Sequence, residues 1–314
     1  SYLAQVLPAA GSGAVRSGVI LGVLAVITVI NLVGVKQASW AIDVFTVAKL
    51  LPLGLLVLFG LPHFSMEVVA TQTVAQPQWT QAVLLLIFAF GGFEAPLMSV
   101  GEAKDARRDS AFALLVALAV IATVYVSVQA VTIGLVPDLQ KEKAPIAAAF
   151  SVLWGPLGVM FASLAAMVSV WGWATGNGLQ SPRLLYSMAE RGELPAVLAS
   201  VHPTFRTPHV SIIGFSVVAG VLAVAGTFEW NAVLSAIVRL IVYAMVCVSL
   251  WVFRRTRGPA QFKVPFALPV SLVAIGFCLY MLSTRSFAQA GLILSAMLVG
   301  HILMLLVRPR TKIE

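Results

Sequence analysis

Charge is scarce in this sequence: 10% of its 314 residues are Asp, Glu, Lys or Arg, against about 25% in a soluble domain. With 60% of the side chains hydrophobic, too little polar surface exists to cover a water-soluble core, so the chain belongs in lipid. Cysteine is almost absent. Cys247 and Cys278 both stand inside apolar runs, which excludes a disulfide scaffold and reads as two buried thiols. The four histidines, His63, His202, His209 and His301, have no metal-ligand spacing, and no nucleophile, acid/base or metal constellation is visible. Neither enzyme chemistry nor a cofactor or metal is expected. Acidic residues are outnumbered, 12 against 20 Lys and Arg; in a membrane chain that excess reports orientation, and no nucleic-acid partner is expected.

Apolar length, by contrast, is plentiful. A helix crossing the ~30 Å hydrocarbon core needs about 20 mostly apolar residues. Nine stretches meet or approach that: Val15 to Val35, Trp40 to Leu61, Gln81 to Gly101, Ser110 to Val136, Trp154 to Tyr186, Val210 to Gly226, Trp230 to Phe253, Phe266 to Leu282 and Phe287 to Val307. The fifth is too long for one crossing, so its cytoplasmic end should tilt or protrude. An odd number of crossings divides the loops into two sets. Fourteen Lys and Arg fall in one set and four in the other (Arg16, Lys141, Lys143 and Arg285), which predicts a multi-pass protein of the cell (plasma or inner) membrane with a cytoplasmic C-terminus. The loops are too short for a core of their own, so function must lie in or beside the bilayer.

Two cations remain, Lys49 and Arg239, and both fall inside predicted spans. Lys49 lies nine residues after Trp40, roughly 13 Å into its span. A lysine desolvated there would exchange a proton near neutral pH; the alternative is a structural cation paired with carbonyls or with Asp43. Arg239 stands nine residues after Trp230, an echo of the kind that duplicated helices leave, and reads as a structural or gating charge inside the bundle.

The third span violates helix chemistry three times within six residues. Gly91-Gly92 lowers helix propensity, Pro96 cannot donate to the carbonyl of Gly92, and Glu94 brings a carboxylate to membrane depth. Lipid permits an unwound span only where the freed backbone groups face protein, water or ligand. The expectation is a discontinuous helix holding a small polar solute near the midplane, against the plainer alternative of a Pro-kinked helix with Glu94 paired to a neighbour. Asn177, within Trp171-Gly172-Trp173-Ala174-Thr175-Gly176-Asn177-Gly178, is a further site candidate, although the small residues there also suit close helix packing.

The residues from Gly91 through Glu94 and Gly101-Glu102-Ala103-Lys104-Asp105 to Asp109 resemble the amino acid-polyamine-organocation (APC) transporter superfamily. So do Asn31 to Lys36, Lys49-Leu50-Leu51-Pro52-Leu53, and Ser181 to Tyr186 with Arg191 to Pro195. The resemblance implies an all-α integral membrane protein: a partial leucine-transporter-type bundle of inverted five-helix repeats with about nine transmembrane helices. Residues 1–314 would form one transporter domain, with 15–61 ending the first repeat, 81–253 the second repeat and 266–307 two accessory helices. On that template the chain enters at the end of the family's third helix, so helices one, two and most of three are not represented.

Carried over to this sequence, the resemblance implies that Gly91, Gly92, Phe93 and Glu94 touch the substrate, that Phe88 is an aromatic gate and that Asn177 lies in the pocket. It also implies that Lys49 links protonation to gating, and Glu94 is expected to share the proton linkage. The function it implies is secondary active transport of an amino acid by alternating access, coupled to protons, in the lipid bilayer. A polyamine or amino acid exchanger of the same fold, or a non-transporting membrane sensor or subunit, are the alternatives.

Overall fold

The computed structural model describes residues 13–34, 39–72, 76–93, 106–256 and 266–307. Among them every regular element is helical: α1 (Gly13–Val33), α2 (Ser39–Gly60), α3 (Trp79–Phe90), α4 (Ala106–Leu135), α5 (Pro145–Glu190), α6 (His209–Ala225), α7 (Phe228–Thr256), α8 (Ala267–Ser283) and α9 (Phe287–Leu306), with short 3₁₀ turns and a five-residue helix, Met66–Ala70, between them. The nine main helices coincide with the nine apolar stretches. Six are long and apolar enough to cross a membrane. The other three, α3 with 12 residues and α6 and α8 with 17 each, are apolar but reach only about 18 and 25 Å at the helical rise.

Three expectations are corrected. The third span is not a helix from Gln81 to Gly101: its helix ends at Phe90. The fifth begins at Pro145, not Trp154, because Pro at a helix's first position needs no donor and presets the dihedral. It then breaks at Gly155, whose φ of 59° and ψ of −142° are outside the helical region. The segment between α2 and α3, expected as plain loop, carries the Met66–Ala70 helix, where the Ser65 side chain caps by accepting from Val68 N.

The described chain forms two compact units. The first contains α1, α2, the C-terminal part of α4, α5 and α6. α5 is its centre, touching α1, α2 and α6. Leu56, Val131, Leu135, Phe150 and Ala162 form its apolar core. Polar pairs tie its elements together: the Thr28 and Ser216 hydroxyls join α1 to α6 at 2.8 Å, and Thr207 donates to Leu32 O at 2.8 Å. The short helix after α2 is fastened to the end of α4 by Gln72, which donates to Val136 O (2.7 Å) and Ile133 O (3.3 Å) and accepts from Leu139 N (3.3 Å).

The second unit contains α3, the N-terminal part of α4, α7, α8 and most of α9. α7 is its centre, packed on α3 and α8. Leu84, Val233, Ala236, Ile237, Leu240, Cys278 and Met281 form its core, and Trp251 Nε1 donates to Ser271 Oγ at 2.7 Å across α7 and α8.

Candidate functional site

α3 starts at Trp79 and stops after 12 residues, about 18 Å along, well short of the ~30 Å that a crossing needs. It is held in place by Leu84, fully buried among Val233, Ala236, Ile237 and Leu240 of α7. At its end Gly91 turns extended (φ −67°, ψ 150°) while its N–H still donates to Phe88 O at 3.1 Å. Gly92 follows at φ 113°, a conformation with steric cost for any residue bearing a Cβ. The Gly-Gly pair therefore ends the helix, as its low helix propensity suggested.

Arg239 of α7 meets this end. Its Nη1 donates to Phe88 O at the long distance of 3.4 Å, and its guanidinium carbon lies 5.9 Å from the Phe88 ring centroid. The contact with Gly91 is so close that a Cβ at that position would overlap the guanidinium. A cation at a helix C-terminus interacts favourably with the macrodipole, by up to about 2 kcal/mol in partly buried settings, and this pairing offsets part of the cost of placing Arg in a span. The surrounding rings complete the geometry. Phe88 packs edge-on against Phe228 (centroids 5.8 Å apart), and Phe93 stacks on Tyr243 (5.6 Å, planes at 29°).

Of the expected site residues, Phe88, Gly91, Gly92 and Phe93 are thus gathered beside α7. Glu94 lies outside the described residues, as do residues 95–105. Lys49 and Asn177 belong to the other unit. Lys49 is exposed on α2, which departs from the expected burial, and the side chain of Asp43 is outside the described residues. Asn177 donates to Trp173 O of its own helix at 3.0 Å. α2 and α5 run antiparallel, since Phe45 touches Gly172 at one end and Phe59 meets Trp154 (5.6 Å) at the other. Lys49 and Asn177 therefore diverge from the Phe45 contact, to a separation of about 13 Å along the helix axes. They do not form one cluster. Close packing accounts for two of the glycines near Asn177: a Cβ on Gly172 would come 2.8 Å from the Phe45 ring and one on Gly178 2.7 Å from Asn31 Nδ2, whereas one on Gly176 would meet open space.

Sequence reasoning had Arg239 as a charge inside the bundle but missed its contact with Gly91, and it missed Phe228 and Tyr243 altogether. The available signal was complementarity, one cation and one broken helix end at similar depth in different spans. Among the described residues no group of three or more His, Cys, Asp or Glu could hold a metal ion.

A multi-pass helical membrane protein, with one helix ending at a Gly-Gly pair beside aromatic rings and a cation, is the class that fold and site define. The sequence profile described as "Amino acid permease" matches residues 1–307, and the chain belongs to that family. Among curated proteins it is similar to the serine/threonine exchanger SteT of Bacillus subtilis, 25% identical over 84% of this chain and 63% of that protein. It is also similar to that organism's branched-chain amino acid permease BcaP (26%, 71% of this chain, 49% of that protein) and its glutamate/serine transporter AimA (23%, 78% and 50%). The chain thus spans between about half and two-thirds of the length of these relatives.

Proposed function

We propose that the protein, in its complete form, carries an amino acid across the cell membrane by alternating access around the C-terminal end of α3. The single observation behind this reading is the end of α3 at Phe90, followed by Gly91 in extended form and Gly92 at positive φ. A helix that stops there gathers its last carbonyls at one end, and an amino acid's ammonium and carboxylate are complementary to backbone carbonyls and N–H groups. The names of the similar proteins, all movers of amino acids in the three cases given, support the same reading. No catalytic step belongs to it. The imbalance of fourteen loop cations against four supports a cytoplasmic C-terminus.

Proton coupling through Lys49, with Glu94 as a second titrating group, is part of the proposal and rests on what the family resemblance implies for Lys49, whose side chain is exposed among the described residues. The test is uptake of radiolabelled amino acids by the full-length protein in proteoliposomes under an imposed pH gradient. Acid-stimulated uptake that disappears in Lys49→Ala is the expected result, and a pH dependence unchanged by that substitution removes the proton role. One similar protein is an exchanger, which favours exchange as the second reading. Uptake that requires amino acid preloaded inside the vesicle, whatever the gradient, would select it.

A further inference from the structure

We infer that the corner joining α7 to α8 binds the headgroup of an anionic phospholipid through Arg254, Arg255 and the start of α8. Between Glu229 and Glu314 the chain has no Asp or Glu, yet Arg254, Arg255, Arg257 and Lys263 fall within ten residues at this corner. The segments expected on the same side of the membrane carry their own acids: Lys104, Arg107 and Arg108 stand among Glu102, Asp105 and Asp109, and Arg191 pairs with Glu193 at 3.1 Å. Arg254 and Arg255 occupy the last turn of α7, and among the described residues neither enters an ion pair. Arg254 is half-buried, and its Nε, shielded from solvent, has no acceptor among them. A shielded donor left without an acceptor is costly, which points to an acceptor supplied from outside the chain.

The fold brings a second anion-binding feature to the same place. Trp251 Nε1 donates to Ser271 Oγ at 2.7 Å, which sets the last turn of α7 beside the first turn of α8. α8 has no acid in its first turn and no side-chain cap, its N-cap residue being Phe266, so the positive end of the helix is left for an anion. The macrodipole of α7 alone would account for two arginines at its end. It does not account for Arg257 and Lys263, which follow α7 in the sequence, or for the uncapped start of α8. The surface around the corner selects a lipid over a dissolved phosphate. Val252, Phe253, Val270 and Leu272 are exposed on α7 and α8, and α7 is long and apolar enough to cross a membrane, so acyl chains lie against these side chains while the headgroup meets the arginines. A guanidinium fork matches two phosphate oxygens, and each cation beside a span strengthens the attraction for anionic lipid by roughly fivefold. The inference needs only that α7 crosses the membrane and is independent of the transport reading.

The experiment presents the full-length protein in detergent with equimolar phosphatidylglycerol and phosphatidylcholine of identical acyl chains and counts the lipids retained on the folded protein by native mass spectrometry. The parent should favour phosphatidylglycerol by about 25-fold, fivefold for each arginine in contact. Arg254→Gln combined with Arg255→Gln should bring the ratio close to unity, and the corresponding pair of Lys substitutions should keep the preference. Lys141→Gln combined with Lys143→Gln removes the same charge from another loop and should leave the ratio unchanged. A parent protein with no preference overturns the inference without reference to any variant, and so decides the matter even if the Gln pair fails to fold. An unchanged ratio in a folded Arg254→Gln, Arg255→Gln protein overturns it as well. So does an equal fall in the Lys141→Gln, Lys143→Gln protein, which would assign the preference to net charge and not to this corner. Inorganic phosphate is the last arm: if it raises the unfolding temperature of the parent as much as phosphatidylglycerol does, the corner takes a soluble anion and the lipid assignment falls. Uptake of amino acid enters none of these measurements, so the transport reading and this inference fail separately.

Discussion

Among the described residues, α5 bends at Gly155 and α3 ends at Gly91-Gly92, and the two glycine sites have different neighbours. In α5 the break at Gly155 makes a corner filled with rings: Phe150, Trp154 and Phe161 lie 5.1 to 5.6 Å from one another, and Phe59 joins them from α2. In α3 the break at Gly91-Gly92 is met by Arg239. A broken helix is therefore not by itself a binding site. What lies against the glycine differs: rings fill the corner at Gly155, whereas a guanidinium lies against Gly91.

The contrast can be broken by substitution, and the corner should show the larger stability effect. Phe150→Ala removes a fully buried ring and should cost roughly 3 kcal/mol, the low end for Phe because lipid supplies no hydrophobic transfer term. Thermal unfolding in detergent would show it, with the substrate preference of the remaining folded protein unaltered. Gly91→Ala should do the converse, lowering uptake by about 100-fold as the guanidinium is displaced from the site while unfolding temperature changes little. If both substitutions act on stability alone, the two breaks are equivalent and the distinction fails.

Smaller effects sharpen the same comparison. Gly155→Ala puts a Cβ into a backbone region essentially reserved for glycine and should destabilise by about 2 kcal/mol without changing the apparent KM of uptake. Phe93→Leu loses the stacked contact with Tyr243, a matter of about 1 kcal/mol, and should raise the apparent KM about fivefold with little change in unfolding temperature.

Much of this was legible in the sequence. Apolar run length located all nine helices, and Gly91-Gly92 announced its break because helix chemistry is local: missing side chains and freed donors can be read within one turn. The start of α5 at Pro145 escaped hydropathy, since Lys141 and Lys143 dilute the apolar signal just before it, although Pro at a helix start was there to be used. Arg239 exposed the limit of the method. Its depth predicted a partner, but the choice of Phe88 and Gly91 is made by the packing of Leu84 against Ile237 and Leu240, and no local pattern encodes which two helix faces meet. Lys49 shows the opposite error, for depth in a span was equated with burial, whereas its side chain is exposed.

The pairing of Arg239 with Phe88 O joins positions 151 apart in the chain, and biosynthesis must respect that separation. At about 5 to 20 residues per second, the ribosome needs roughly 8 to 30 seconds after releasing α3 before α7 can follow. During that interval a 12-residue segment, too short to cross on its own, waits with its terminal carbonyls facing whatever the insertion machinery provides. α3 reaches its final environment only when α7 arrives, and α7 brings the cation that it could not cheaply carry into the bilayer alone.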